Sequence, residues 1–199
     1  MMKAAQHQFY LASQSPRRLV LLKQLGYSFS VLEFQVDETP IANEDPKSYV
    51  RRVALSKALA ALPLRDDKTL PVLAADTTVT ISGKILGKPR DFKNAAAMLR
   101  LLSDKKHEVH TAICLAKSES NYLEAHSSSI IEFRKLTDAE IQAYCQTLEP
   151  MDKAGAYAIQ GYAAAFIKNM QGSPSGVKGL PIFETAQLLQ EFNIGLFDD

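Results

Sequence analysis

Residues able to grip a polyanion and to activate water recur in four stretches of this chain. The first is Ser13-Gln14-Ser15-Pro16-Arg17-Arg18. Its two hydroxyls and two guanidiniums are donors whose geometry suits phosphate. The order Ser15-Pro16 also opens a helix, whose free N–H groups and positive dipole end favour an anion. Standing alone, the same residues describe a capped helix with surface arginines. The second is Asp76, which follows the apolar run Val72-Leu73-Ala74-Ala75 and precedes Thr77-Thr78. An acid at the carboxyl end of a core strand lies where α/β proteins place ligands, and it can hold Mg²⁺ or take a proton from water. Its plain alternative is a strand-end turn. Asp37-Glu38 is the third, an acidic pair after another strand. Paired carboxylates suit a Mg²⁺ ion on a phosphate chain; a solvated loop is the alternative.

Lysines make the fourth group. Lys57 lies in an alanine-rich helix, Lys88 in Gly87-Lys88-Pro89-Arg90-Asp91, and Lys153 in Asp152-Lys153-Ala154-Gly155. Each is equally readable as a solvated surface lysine. The stretch Gly83 to Lys88 is not a P-loop, because it is one residue short and proline replaces Ser/Thr. His107-Glu108-x-His110 lacks the HExxH spacing, and on a strand its two imidazoles face opposite sides. Gly172-Ser173-Pro174-Ser175-Gly176 is not a nucleophile elbow. No dinucleotide-binding glycine triplet and no basic–aromatic alternation occurs.

These groups need a scaffold. The 199 residues fit a single domain over 1–199, with residues 1–8 as a loose leader. Hydrophobic residues make up 46% and charged ones 23%, ordinary values for a soluble protein with a real core. A formal net charge of +1 provides no field for nucleic acid or anionic membrane, so any bound anion must be held by a local cluster. Cys114 and Cys145 read as buried thiols of a reducing compartment. No apolar run approaches the roughly 18 residues of a spanning helix. The polar N-terminus does not read as a signal peptide. The expected location is the cytoplasm.

Strands are expected at Phe9 to Ser13, Ser28 to Val36, Pro71 to Ile81, Glu108 to Lys117, His126 to Lys135 and Ala163 to Lys168. Helices are expected from Pro16 to about Gly26, Pro46 to Leu62, Phe92 to Leu102, Ile141 to Leu148 and Pro181 to Phe192, several with caps or a capping box. Gln171 to Lys178 reads as a loop. Alternating strands and helices make the fold class α/β.

Four motifs together resemble the Maf family: Ser13-x-Ser-Pro-Arg-Arg18, Ala75-Asp76-Thr77, Gly87-Lys88-Pro89-Arg90-Asp91, and Lys153-Ala154-Gly155-Ala156-Tyr157 with Ile159-Gln160-Gly161. They stand in family order between about Tyr10 and Phe192. The resemblance implies a long bent mixed sheet flanked by helices, with two lobes and a cleft between them, of the Maf/ITPase-like kind. It further implies a nucleoside triphosphate pyrophosphatase dependent on Mg²⁺ or Mn²⁺, and a possible homodimer. The Lys-Ala-Gly-Ala-Tyr and Ile-Gln-Gly forms are similar to the branch acting on dTTP and UTP; the 7-methyl-GTP branch carries other residues there. By position, Asp76 corresponds to the catalytic base. Arg17, Thr77 and Gln160 correspond to residues setting substrate preference, and Ser13, Arg18, Lys57 and Lys88 to phosphate-associated positions. Glu38, with Asp76, corresponds to the metal site. Gln14 departs from the small residue usual between the serines. The loop before Gly179-Leu180-Pro181 is also unusual, and no site role is expected of it. The rival readings are a non-catalytic nucleotide-binding regulator of cell division or septum formation, and a pyrophosphatase of another base preference.

Overall fold

A computed structural model of the chain describes residues 7–196. The chain opens with β1 (Phe9–Ala12), α1 (Pro16–Gln24) and β2 (Phe29–Val31), followed by α2 (Pro46–Ala61) and β3 (Val72–Ile81). Next come β4 (Lys84–Leu86), α3 (Phe92–Leu102), β5 (Lys106–Ser118), β6 (Asn121–Phe133) and α4 (Asp138–Gln146). β7 (Ile167–Gln171), α5 (Pro174–Val177) and α6 (Ile182–Glu191) complete it. The strands form one mixed sheet in the order β2-β1-β3-β5-β6-β7, with β4 also on β3. β2, β1 and β3 run parallel, and the remaining pairings are antiparallel.

Local chemistry explains most boundaries. Asp45 caps α2 by accepting from the N–H groups of Lys47 and Ser48. Thr137 and Glu140 close the expected capping box on α4. The β3–β4 hairpin turns through Ser82 (φ 51°) and Gly83 (φ 75°), the paired left-handed residues that a two-residue hairpin requires.

Other boundaries differ from expectation. The strand read at Ser28 to Val36 is only β2, because the chain then peels away from the sheet. Residues 163–166, read as the start of a strand, lie in the 3₁₀ turn Tyr162–Phe166 before β7. The segment read as a loop at Gln171 to Lys178 contains α5, capped by the Ser173 side chain. Of the expected leader, residues 1–6 lie outside the described residues. Gln8 is already tied to the sheet margin, exchanging hydrogen bonds with Ser28. Among the described residues no helix is long and apolar enough to cross a membrane.

Three apolar cores divide the molecule. Val53, Ala54 and Ala58 of α2 cover one face of the sheet at Val72 and Ala74. Leu21 and Leu22 of α1 with Leu188 and Leu189 of α6 cover the other at Leu73 and Ala75. The third core gathers Val79 and Ile81 of β3 with Leu99 of α3, Ile141 of α4 and Phe133 of β6. β3 thus serves one lobe up to Ala75 and a second lobe from Val79. Asp76, Thr77 and Thr78 lie between.

His107 is buried in the second lobe beside Phe133, with its Nε2 2.8 Å from the Tyr157 hydroxyl. Burial pushes this imidazole down to about 4. Burial, helped by the stacked His110, also brings His126 down to about 4. Such groups bind protons more readily when unfolded. Their stabilising contribution is therefore intact above the ordinary imidazole value of 6.5 and lost as pH falls from there towards 4. We expect the urea midpoint to drop between about pH 7 and about pH 4.5, and the drop to shrink in His107→Gln, which retains a partner for Tyr157.

Candidate active site

The cleft opens where the edge of β3 is left bare. β1 pairs with β3 only as far as Ala12↔Ala74, and β4 takes up the same edge at Val79↔Leu86. Residues 75–78 face a gap bordered by the β1–α1 loop. Because strand side chains alternate, Asp76 points to the α2 face and Thr77 to the α1 face. The cleft, about 830 Å³, reaches both. Every site residue expected from the sequence lines it: Ser13, Arg17, Arg18, Glu38, Lys57, Asp76, Thr77, Lys88 and Gln160. Lys153 does as well.

On the α2 side, the Lys57 ammonium donates to Asp76 Oδ1 at 2.7 Å and contacts Glu38 Oε1 at 2.8 Å. Lys57 continues the inward stripe Tyr49, Val53, Lys57, Ala61, four residues apart, so helical geometry drives it into the cleft. Glu38 arrives on the stretch that peels away after β2, and its carbonyl accepts from the Tyr49 hydroxyl at 2.9 Å. Burial pushes the Glu38 carboxyl up, but the Lys57 contact, with Lys88 and Arg18 nearby, brings it below the ordinary value. Asp76 is nearly buried. Its desolvation raises the pKa, opposed by Lys57 and Arg18.

On the α1 side, Arg18 is buried and already engaged. It donates to Gly179 O at 2.7 Å, Ser13 Oγ at 3.1 Å and Thr77 Oγ1 at 3.3 Å. Thr77 is bonded in turn to Thr111, whose hydroxyl donates to Gly176 O at 2.8 Å. Gly179, directly after the loop of which no site role was expected, therefore fixes Arg18, and Val177 and Lys178 of that loop line the cleft with it. Ser15 occupies the N-cap position, but its side chain makes no cap. The Ser15 N–H donates instead to Ser13 Oγ at 3.2 Å. Pro16 has no N–H, and the Arg18 and Leu19 N–H groups donate to Ser15 O at 3.1 and 3.3 Å, so the first turn of α1 offers an anion the Arg17 N–H and the positive end of its dipole.

Across the cleft, Asp152 contacts Arg17 at 3.8 Å and pairs with Lys153. Gly155 N–H donates to Gly87 O at 3.1 Å, joining the Lys153 turn to the Lys88 loop. Among the described residues Lys88 has no ion pair and the Gln160 carboxamide no hydrogen bond.

A divalent ion has a partial site here. Asp76 Oδ2 is buried without a hydrogen-bond partner, and Glu38 stands across the same ammonium. Two hard oxygen donors suit Mg²⁺ or Mn²⁺ when phosphate and water complete the shell. No group of three or more metal-ligating side chains gathers among the described residues.

The Maf-like protein family model matches residues 8–192. This chain belongs to the Maf family. Its relatives include the dTTP/UTP pyrophosphatase of Nitrosomonas europaea, 49% identical and covering 94% of this chain and 96% of that one. The dTTP/UTP pyrophosphatase of Aromatoleum aromaticum is 48% identical over 98% of this chain and 100% of its own. The nucleoside triphosphate pyrophosphatase of Haemophilus ducreyi is 47% identical over 93% and 95%. A fainter likeness links the chain to the solved Staphylococcus aureus Ham1 protein, at TM-score 0.47 and 16% identity over 63% of this chain and 71% of the other.

Residues that the sequence reading left unassigned are Tyr49, Asp152 and the Gly176–Gly179 carbonyls. Asp152 stood directly before the Lys153 motif, and Ser173-Pro174 repeats the cap-then-proline order already read at Ser15 and Asp45.

The Lys57 pairing has a measurable consequence. Removing one partner of a buried ion pair typically costs about 3–5 kcal/mol because a charge is stranded. Lys57→Met should therefore lose about 3 kcal/mol in urea unfolding at neutral pH, and much of that loss should return in Lys57→Met/Asp76→Asn. A loss below about 1 kcal/mol would be that of a solvated surface pair.

Proposed function

We propose that this chain hydrolyses dTTP and UTP to the nucleoside monophosphate and pyrophosphate, with the triphosphate lying along the bare edge of β3. The observation that carries the reading is Asp76, whose unpartnered carboxylate oxygen lies on the floor of a cleft walled by Arg17, Arg18, Lys57 and Lys88. The names of the Nitrosomonas and Aromatoleum relatives support the choice of substrate.

In this mechanism Arg17, Lys88 and the positive dipole end of α1 hold the outer phosphates. Arg18, tied at three points, keeps Ser13 and Thr77 in place and has guanidinium hydrogens to spare. Asp76 orients a water molecule and accepts its proton. The water oxygen bonds to the α-phosphorus as the bond from that phosphorus to the α,β-bridging oxygen breaks, and pyrophosphate departs with the bridging oxygen. A Mg²⁺ or Mn²⁺ ion held by Glu38 and Asp76 would neutralise charge on the phosphate oxygens when bound. Most of the acceleration then comes from positioning and charge complementarity. The Gln160 carboxamide, with one donor and one acceptor face, suits the imide edge of uracil or thymine.

Incubation with dTTP, UTP, CTP and 7-methyl-GTP plus Mg²⁺ or Mn²⁺ should release pyrophosphate fastest from dTTP and UTP. Binding without turnover would instead favour a regulator. In ¹⁸O-water the label should appear in the monophosphate; label in pyrophosphate would move attack to the β-phosphorus. Asp76→Asn should retain nucleotide binding while turnover falls about 10²–10⁴-fold. Gln160→Ala should flatten the preference among the four nucleotides. Unchanged ratios would make Gln160 a turn residue.

A further inference from the structure

Glu149 lies outside the phosphate cluster, in the 3₁₀ turn Glu149–Asp152 that follows α4. Its Oε1 accepts from the Tyr144 hydroxyl at 2.9 Å, and its Oε2 from the Tyr162 N–H at 3.1 Å. The carboxylate also lies flat against Gly161. A Cβ at that position would stand 2.1 Å from Oε2 and 2.3 Å from Oε1. Gly161 has φ −112°, which any residue adopts. A Cβ there would displace the carboxylate, the movable end of the Glu149 side chain, from its place against Tyr162.

The anchor behind Glu149 is rigid. Tyr144 is buried in the second lobe, its ring edge-on to Phe166 at 5.2 Å, and Phe166 meets Phe133 in the same way at 6.1 Å. Leu148, in the left-handed region at φ 66°, turns the chain out of α4 and delivers Glu149. Tyr144, Glu149 and Tyr162 therefore form a strut from the core to the residues flanking Gln160. The Gln160 carboxamide reaches the cleft without a hydrogen bond of its own. A smaller depression beside the cleft is walled by Arg17, Glu149, Lys153, Gln160 and Gly161, so the strut borders the same space.

We propose that Glu149 is a positioning residue for base recognition: through Tyr162 N–H and Gly161 it fixes where the Gln160 carboxamide meets the pyrimidine. The inference rests on the reading of Gln160 as the group that meets the base. Glu149 borders the smaller depression and is not among the residues that line the main cleft. Its loss should weaken and blur base selection while leaving phosphate chemistry intact, because a side chain held by a supporting hydrogen-bonded group loses its geometry when that group goes.

The test is steady-state hydrolysis of dTTP, UTP and CTP with Mg²⁺ by wild type, Glu149→Ala, Glu149→Gln and Tyr144→Phe. A lost hydrogen bond to a charged group corresponds to about a tenfold effect. Glu149→Ala should raise KM for dTTP and UTP about tenfold with kcat within about twofold, and lower the dTTP-to-CTP preference by a similar factor. Glu149→Gln, which still offers an acceptor, should recover most of both, and Tyr144→Phe should shift them in the same direction by less. Gly161→Ala should harm selectivity in wild type yet add little in the Glu149→Ala background. An active wild type whose Glu149 and Tyr144 variants keep its KM values and base ratios overturns the strut while leaving the proposed function standing. A loss of kcat alone, with preference intact, also overturns it. A wild type that releases no pyrophosphate overturns the proposed function, and this inference with it.

Discussion

A strand that serves two cores must cross between them, and at the crossing its side chains belong to neither. β3 spends Val72 to Ala75 in the first lobe and Val79 to Ile81 in the second. Between these stretches the backbone edge is paired on the β5 side only. Continuous apolar burial would have closed this seam. Instead the chain places an acid and two hydroxyls there, and alternation along the strand sends them to opposite faces. One cleft thus collects groups from α1, α2, the stretch after β2, the loop before α3 and the turns after α4.

Electrostatics keeps the seam open. A carboxylate as buried as Asp76 is costly unless paired, and the pairing ammonium comes from the inward stripe of α2. Glu38 shares that ammonium from the solvent side, so the acids outnumber the cation at this point while Lys88 remains unpaired across the gap. On the other face Arg18 is spent on protein oxygens and Arg17 is shared with Asp152 at 3.8 Å, while Lys88 has no ion pair among the described residues. A near-neutral chain thereby concentrates cationic groups in one place, which a net charge of +1 does not reveal.

Punctuation was the legible part of the sequence. Ser15-Pro16, Asp45-Pro46 and Asp91 each mark a helix start within a residue, because caps act over one turn, whereas α4 starts at Asp138 inside its capping box and three residues before the expected Ile141. The apolar run into Asp76 located the strand that organises the cleft. Length was harder to read: residues 32–36 keep a strand-like composition, yet leave the sheet to bring Glu38 to Lys57. The apolar run at Ala163 winds into a 3₁₀ turn, since short apolar segments do not declare their period. The site residues that motifs carry were legible as a set. What each one touches was not. Arg18 reaching Gly179, Glu149 reaching Tyr162 and Gly155 reaching Gly87 are long-range contacts with no periodic signature. The four-residue spacing of Tyr49, Val53, Lys57 and Ala61 turns Lys57 inward, a signal the sequence reading left unused.

The most direct measurement is a crystal structure with Mg²⁺ and α,β-imido-dUTP, whose bridging nitrogen resists cleavage. The account places the α-phosphorus within reach of a water held by Asp76, the outer phosphates against Arg17 and Lys88, and uracil at Gln160. A triphosphate bound away from the bare edge of β3, or one whose α-phosphorus turns from Asp76, would contradict it.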